Sequence, residues 1–155
     1  MHSLCQAMQA GARPSWEEIR TAWGRLFPLF QKMEATPQDA IWHAEGNVSI
    51  HTGMVLECVR QILDATPEIT SQQSLTLQLA AIFHDIGKPL TTRVREIDGA
   101  QRIISPHHAT AGRNALCLLL LALELPTEVE SAVLALTALH HQPRRLVQDD
   151  APVAK

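Results

Sequence analysis

The sequence predicts an all-α domain carrying one small β-hairpin near residues 91–104. Three observations carry that prediction. Apolar residues recur at steps of three and four along most of the chain, the period of helices with one buried face. The segment "TTRVREIDGAQRII" is different, alternating β-branched residues with charges around Asp98-Gly99, a strong hairpin signal. The chain has 155 residues, 46 % of them hydrophobic, which suits one domain with one core.

The elements follow in order. The start of the chain, "MHSLCQAMQAGARPSW", lacks the apolar run of a secretory signal, and His2 sits in a tail without a role. Ser15 followed by Glu18 is a capping box that opens a helix at Trp16, running to about Leu26. Pro28 then interrupts and can start a second short helix. "ATPQDAIWHAEGN" reads as a loop by its Pro, Asp, Gly and Asn content. Asn47 can cap the next helix, over residues 48–65, with the stripe Val48, His51, Val55, Val59 and Ile62. A third long helix runs from Ser74 to about Ile86 on Leu75, Leu79, Ile82 and Ile86, and Gly87 and Pro89 stop it.

After the hairpin, a helix begins near residues 106–108 and ends before Pro126, its inner face continuing through Ala111, Ala115, Leu118 and Ala122. Thr127 and Glu130 form a further capping box, opening a helix with the stripe Val129, Val133, Leu136 and His140. The remainder, "QPRRLVQDDAPVAK", is polar and shows no further periodic element.

Composition narrows the function classes. A net charge of −3 gives no general attraction to nucleic acid, so any binding of polyanions is local. Cys5, Cys58 and Cys117 are far apart and odd in number, which reads as reduced thiols in a cytoplasmic protein. The longest apolar run, "ALCLLLLAL" at residues 115–123, falls far below the ~20 residues that cross a bilayer, so no membrane partner is expected.

The placement of the histidines points to chemistry. His51 and His140 lie on apolar stripes, His84 ends the most apolar helix, and His108 begins another. A buried imidazole needs partners for both ring nitrogens. A lone one is more often a hydrogen-bonded core residue, but four of them beside Asp85 are hard to satisfy independently. A divalent metal satisfies them together. Imidazole nitrogen with carboxylate oxygen suits Mn, Fe, Co, Ni or Zn, and the carboxylate's two oxygens can bridge two ions. Lys88, three residues after Asp85, stands at the mouth of this candidate site. Metal ions and an ammonium together can hold a phosphoryl group and neutralise its developing charge, while lowering the pKa of an attacking water. The plain alternative for Lys88 is a solvated lysine at a helix end.

These residues carry a resemblance. "HT" at 51–52, "HDIGK" at 84–88, "HATAG" at 108–112 and "LHHQP" at 139–143 look like the HD-domain metal-dependent phosphohydrolases. The upstream "WHAEGNVSIHT", residues 42–52, is similar to HD domains attached to bacterial CCA-adding tRNA nucleotidyltransferases. It resembles more closely the HD domain fused to polynucleotide kinases in bacterial RNA end-repair enzymes. The resemblance implies an HD-domain helical bundle over residues 41–143, with 1–40 as an N-terminal helical extension and 144–155 as a polar tail truncated from a longer protein.

It also implies one or two divalent transition-metal ions, held by His51, His84 and Asp85 and completed by His108 and His140. Lys88 would contact the scissile phosphate, with Asp85 and Lys88 catalytic. The implied reaction is removal of a 2′,3′-cyclic phosphate, or a 2′- or 3′-phosphate, from an RNA end by metal-activated water. The implied partners are an RNA 3′ end or a nucleotide and a covalently linked kinase. Hydrolysis of free nucleotides and a low-activity HD binding module stand as alternatives.

Two departures from the family pattern matter. A further aspartate ligand is expected well after the doublet at 140–141, and only Asp149 and Asp150 follow, reading as solvated acids. His107 stands where many relatives have glycine, and points either at substrate phosphate or at solvent. His140 is favoured over His141 as the inward ligand, with His141 at the cleft mouth. His43 and Glu45 line the pocket, or Glu45 only holds its loop. Trp42 reads as core or loop packing rather than a base-stacking platform. Arg93, Arg95, Arg102, Arg144 and Arg145 would form a local basic rim, or an ordinary charged surface.

Overall fold

The computed structural model describes residues 2–148; Asp149 and Asp150 lie outside them, as does the side chain of Arg145. The helices are α1 His2–Gln9, α2 Trp16–Trp23, α3 Pro28–Glu34, α4 Val48–Ala65, α5 Ser71–Phe83 and α6 Lys88–Thr91. Strands β1 Arg93–Ile97 and β2 Ala100–Ile104 follow, then α7 His108–Leu119, a 3-10 turn at Leu120–Leu123, α8 Thr127–Leu139 and α9 Gln142–Gln148.

Helix α5 is the centre. It packs against α1, α4 and α8, while α7 packs against α8 and α6. Its residues Leu75, Leu79 and Ile82 are buried as the periodicity predicts, and Ile86 in the turn beyond is buried with them. The helix stops at Phe83, short of the expected Ile86. Phe83 stacks into a cluster with Trp23, Phe27 and Phe30, its ring centroid 5.1 Å from that of Phe27. Fully burying each such side chain stabilises by about 1.5–3 kcal/mol. The cluster clamps α2 and α3 onto the end of α5, immediately before His84. The helices before residue 40 therefore feed the same core as the rest.

Local signals explain most boundaries. The Ser15–Glu18 capping box forms, and Asn47 Oδ1 accepts from Ile50 N at 2.9 Å. Asp98 and Gly99 both have positive φ, 52° and 74°, as a two-residue hairpin turn requires. They set the antiparallel register from Arg93↔Ile104 to Ile97↔Ala100.

Several expectations are corrected. His2 does not sit in a tail but opens α1, which turns Cys5 and Met8 inward, three residues apart on one face. α5 begins with a capping box of Thr70 and Gln73, three residues before the expected Ser74. The capping box at Thr127 does not form. Pro126 is the cap there, because its carbonyl already accepts from Glu130 N at 3.0 Å.

The buried stripe of α4 is Val48, Ser49, Thr52, Leu56 and Leu63, with Ile62 exposed. That of α7 is His108, Gly112 and Leu116, continuing to Leu120 and Leu123, with Leu118 exposed. In α8, Thr137 is buried and Leu136 is not. The segment read as a polar tail after 143 is helical to Gln148, within α9. No helix among the described residues is long and apolar enough to cross a membrane.

Candidate metal centre

The centre forms where the ends of α5 and α8, the start of α7 and the first turn of α4 meet. His84 and His140 are the C-caps of α5 and α8, and His108 is the first residue of α7. A helix end leaves carbonyls unpaired, and these imidazoles use them or their loop equivalents. His84 Nδ1 donates to Ala81 O at 2.8 Å, His140 Nδ1 to Thr137 O at 2.8 Å, and His108 Nδ1 to Ser105 O at 2.6 Å. Each bond fixes the Nδ1–H tautomer and leaves Nε2 with its lone pair aimed inward. His51 is fixed in the same sense by Glu45, whose Oε1 accepts from His51 Nδ1 at 2.7 Å.

The four Nε2 atoms surround Asp85, which is 1 % exposed. Its Oδ2 lies 3.2 Å from His84 Nε2 and 3.6 Å from His51 Nε2. Its Oδ1 lies 3.2 Å from His108 Nε2 and 3.6 Å from His140 Nε2. The carboxylate thus separates two pairs of imidazoles, one per oxygen. Burial lowers His51, which keeps it neutral and able to donate its lone pair.

The residues fit a divalent cation. Among the described residues, His84 Nε2 and Asp85 Oδ1 are buried without a hydrogen-bond partner, an arrangement that costs about 1–3 kcal/mol per group if nothing answers it. His108 and His140 direct their Nε2 atoms at each other at 3.2 Å. With both Nδ1 protons committed to carbonyls, two lone pairs face one another, and a cation relieves that repulsion. Sets able to hold an ion are His51, His84 and Asp85; His108, His140 and His141; and His43, Glu45 and His51.

All five expected metal residues are therefore brought together, and His140 and His141 both reach the cluster. His141 Nε2 lies 2.9 Å from His108 Nε2; partial desolvation, then its neighbours His140 and His108, lower its pKa to about 4. His107 is not brought in. It is exposed, with φ 56°, a left-handed backbone suited to glycine. Glu45 orients rather than lines: it accepts from His43 at 2.9 Å as well as from His51. Such partners typically tune metal affinity 10–100-fold. Glu45→Ala is expected to weaken binding of Mn²⁺ by about that factor, read by calorimetric titration, and unchanged affinity would leave Glu45 a loop residue only.

Lys88 is not a solvated lysine. It is 5 % exposed, its Nζ 2.8 Å from Asp85 Oδ2 and 2.6 Å from Gln38 Oε1. Gln38 has no sequence signal, standing fifty residues away in a loop. Arg102 is also committed: its guanidinium grips Asp39 in two bonds of 2.6 and 2.7 Å, holding the Asp39 carboxyl down to about 2. It leaves the expected basic rim because its charge is already paired. A cleft of about 280 Å³ opens beside the centre, lined by Gln38, Trp42, Lys88, His108, His141 and Arg144 among others.

A helical domain that turns imidazoles from four segments onto one buried aspartate has the donor set of a divalent-metal site. The HD domain family model matches residues 48–152, and the chain belongs to that family. It is similar to a multifunctional CCA protein of Shewanella frigidimarina, 35 % identical over 68 residues, 44 % of this chain and 14 % of that protein. It is also similar to a multifunctional CCA protein of Cupriavidus taiwanensis, 32 % identical over 84 residues, 52 % of this chain and 18 % of that protein. The chain thus spans less than a fifth of these curated relatives. No solved structure matches it significantly.

Proposed function

We propose that the protein is a metal-dependent phosphohydrolase that removes a 2′,3′-cyclic phosphate, or a 2′- or 3′-phosphate, from RNA ends. The observation that carries this reading is the pairing of the buried Lys88 ammonium with the same Asp85 carboxylate that faces four imidazole lone pairs. A divalent ion held there supplies a Lewis acid for a phosphoryl oxygen and lowers the pKa of a coordinated water. Asp85 fixes the geometry. His51, His84, His108 and His140 turn their Nε2 atoms toward it, each ring fixed by a hydrogen bond at Nδ1. Lys88 lines the cleft, where its ammonium can take charge developing on a phosphoryl oxygen. The motif resemblance to HD domains attached to CCA-adding tRNA nucleotidyltransferases, together with the partial matches to two multifunctional CCA proteins, supports a substrate of RNA type. A linked polynucleotide kinase belongs to the same reading and rests on the motif resemblance alone.

The cleft, near the low end of the roughly 300–1,000 Å³ of small-ligand sites, suits one terminal nucleotide. That favours free 2′- or 3′-nucleotides as a second reading. The test is release of inorganic phosphate, with Mn²⁺, Ni²⁺ or Co²⁺ added, from a 3′-phosphorylated oligonucleotide, its 5′-phosphorylated isomer, 2′-AMP and 3′-AMP. Preference for the 3′-phosphorylated oligonucleotide is expected. No turnover with any ion would leave a binding module. Lys88→Ala should retain metal while kcat falls about 10²–10³-fold, the loss typical of one electrostatic donor. Unchanged kinetics would place Lys88 outside the reaction.

A further inference from the structure

Trp42 is 62 % exposed, contrary to its expected place in core or loop packing. It lines the same cleft as Lys88, His108 and His141. The guanidinium of Arg144, from α9, stands over its ring with Cζ 4.8 Å from the centroid. The segment that presents the indole is braced. Asp39 O accepts from Trp42 N at 3.0 Å and from His43 N at 2.8 Å. Asp39 Oδ1 accepts from Ile41 N at 3.1 Å, and both its carboxylate oxygens are held by Arg102.

A large aromatic side chain left in water forgoes the burial that would stabilise the fold. Here the loop that carries it is also fastened through Asp39, which accepts from the backbone N of Trp42, His43, Ile41 and Ile103 and twice from Arg102. With most of the residue exposed, the guanidinium leaves ring surface free. An indole and a guanidinium beside a cleft sized for one terminal nucleotide match a nucleobase, whose flat face stacks on aromatic rings for about 1–3 kcal/mol.

We propose that Trp42 and Arg144 form the base platform of the substrate site, stacking the terminal nucleobase whose phosphate lies against Lys88 and the metal centre. The inference rests on the phosphohydrolase reading for where the phosphate goes. Stacking reads a π-face and few base-edge groups, so all four bases are accepted.

The test is calorimetric affinity in the presence of Mn²⁺, using adenosine 3′-phosphorothioate and the same sugar phosphorothioate without a base. The full chain binds the nucleotide at least about tenfold more tightly, within the range a single stack provides. Trp42→Ala erases that ratio while leaving affinity for the abasic ligand in place, and Trp42→Phe keeps most of it. A ratio near one in the native protein, or a ratio that survives Trp42→Ala, overturns the platform. So does equal weakening of both ligands in Trp42→Ala, the mark of a merely structural indole. Phosphate release, measured separately from a base-free ester, tells the two readings apart. Turnover without a base preference leaves the hydrolase standing and removes the platform. A base preference in binding without turnover does the reverse.

Discussion

Asp85→Asn is expected to empty the centre of metal and lower turnover by ~10³-fold or more, with helix content unchanged. Both carboxylate oxygens are engaged, Oδ2 toward His51 and His84 and Oδ1 toward His108 and His140. The amide keeps the volume and one acceptor but removes the negative charge, and it places an N–H₂ where a ligand atom should be. Lewis-acid stabilisation is worth several kcal/mol, and each 1.36 kcal/mol is tenfold in rate, which sets the estimate. Asparagine is a better probe than alanine. Asp85→Ala would leave the buried Lys88 ammonium with only Gln38, and an uncompensated buried charge costs about 3–5 kcal/mol. Metal per chain after gel filtration, far-ultraviolet circular dichroism and phosphate release decide the matter. Normal metal content and normal rate in Asp85→Asn would remove Asp85 from the chemistry.

The candidate metal residues were legible because each sits at a position that local rules mark. His51 falls in the first turn behind the Asn47 cap, and His84, His108 and His140 fall at helix ends. The phase of the helices was harder. Periodicity finds an apolar face, but α4 and α8 each have two. Val55, Val59, Leu136 and Leu139 line an apolar groove outside the core, together with Leu77, Ala80 and Leu146. The true contact faces of α4, α7 and α8 include Ser49, Thr52, Gly112 and Thr137, small residues that allow close helix approach but count as polar or neutral in a hydrophobic pattern. The bonds from Lys88 to Gln38 and from Arg102 to Asp39 join residues 50 and 63 positions apart, and no local signal announces either. The platform at Trp42 was missed for a different reason. An aromatic residue in a loop is ordinarily covered, and this one stands exposed on a loop fastened through Asp39, a contact set that no local signal announces.

Gly87→Ala should be the most damaging single methyl in the domain. Gly87 has φ −83°, open to any residue, so the constraint is space and not backbone conformation. A Cβ there would stand 2.1 Å from His108 O, 2.4 Å from Gly112 N and 2.9 Å from Gly112 Cα. All three are backbone atoms of α7, so no side chain can rotate away; the first turn of α7 must move as a body. That turn carries His108, whose Nδ1 is fixed to Ser105 O and whose Nε2 faces Asp85. The glycine of "HDIGK" is thus what lets the aspartate turn and the histidine helix share one centre.

Overpacking typically costs about 1–3 kcal/mol, occasionally more, and contact with backbone places this case at the upper end. For a chain of this length that is a fall in Tm of about 6–12 °C. Metal content and phosphate release should fall as well. Gly53→Ala is the control: inside α4, its Cβ would meet only the Trp16 side chain at an ordinary 3.4 Å, and a helical Gly→Ala change gains up to about 1 kcal/mol. Thermal unfolding of both variants reads the contrast directly. If Gly87→Ala melts with the native protein and keeps its metal, the close approach of the two segments is not what holds His108 against Asp85.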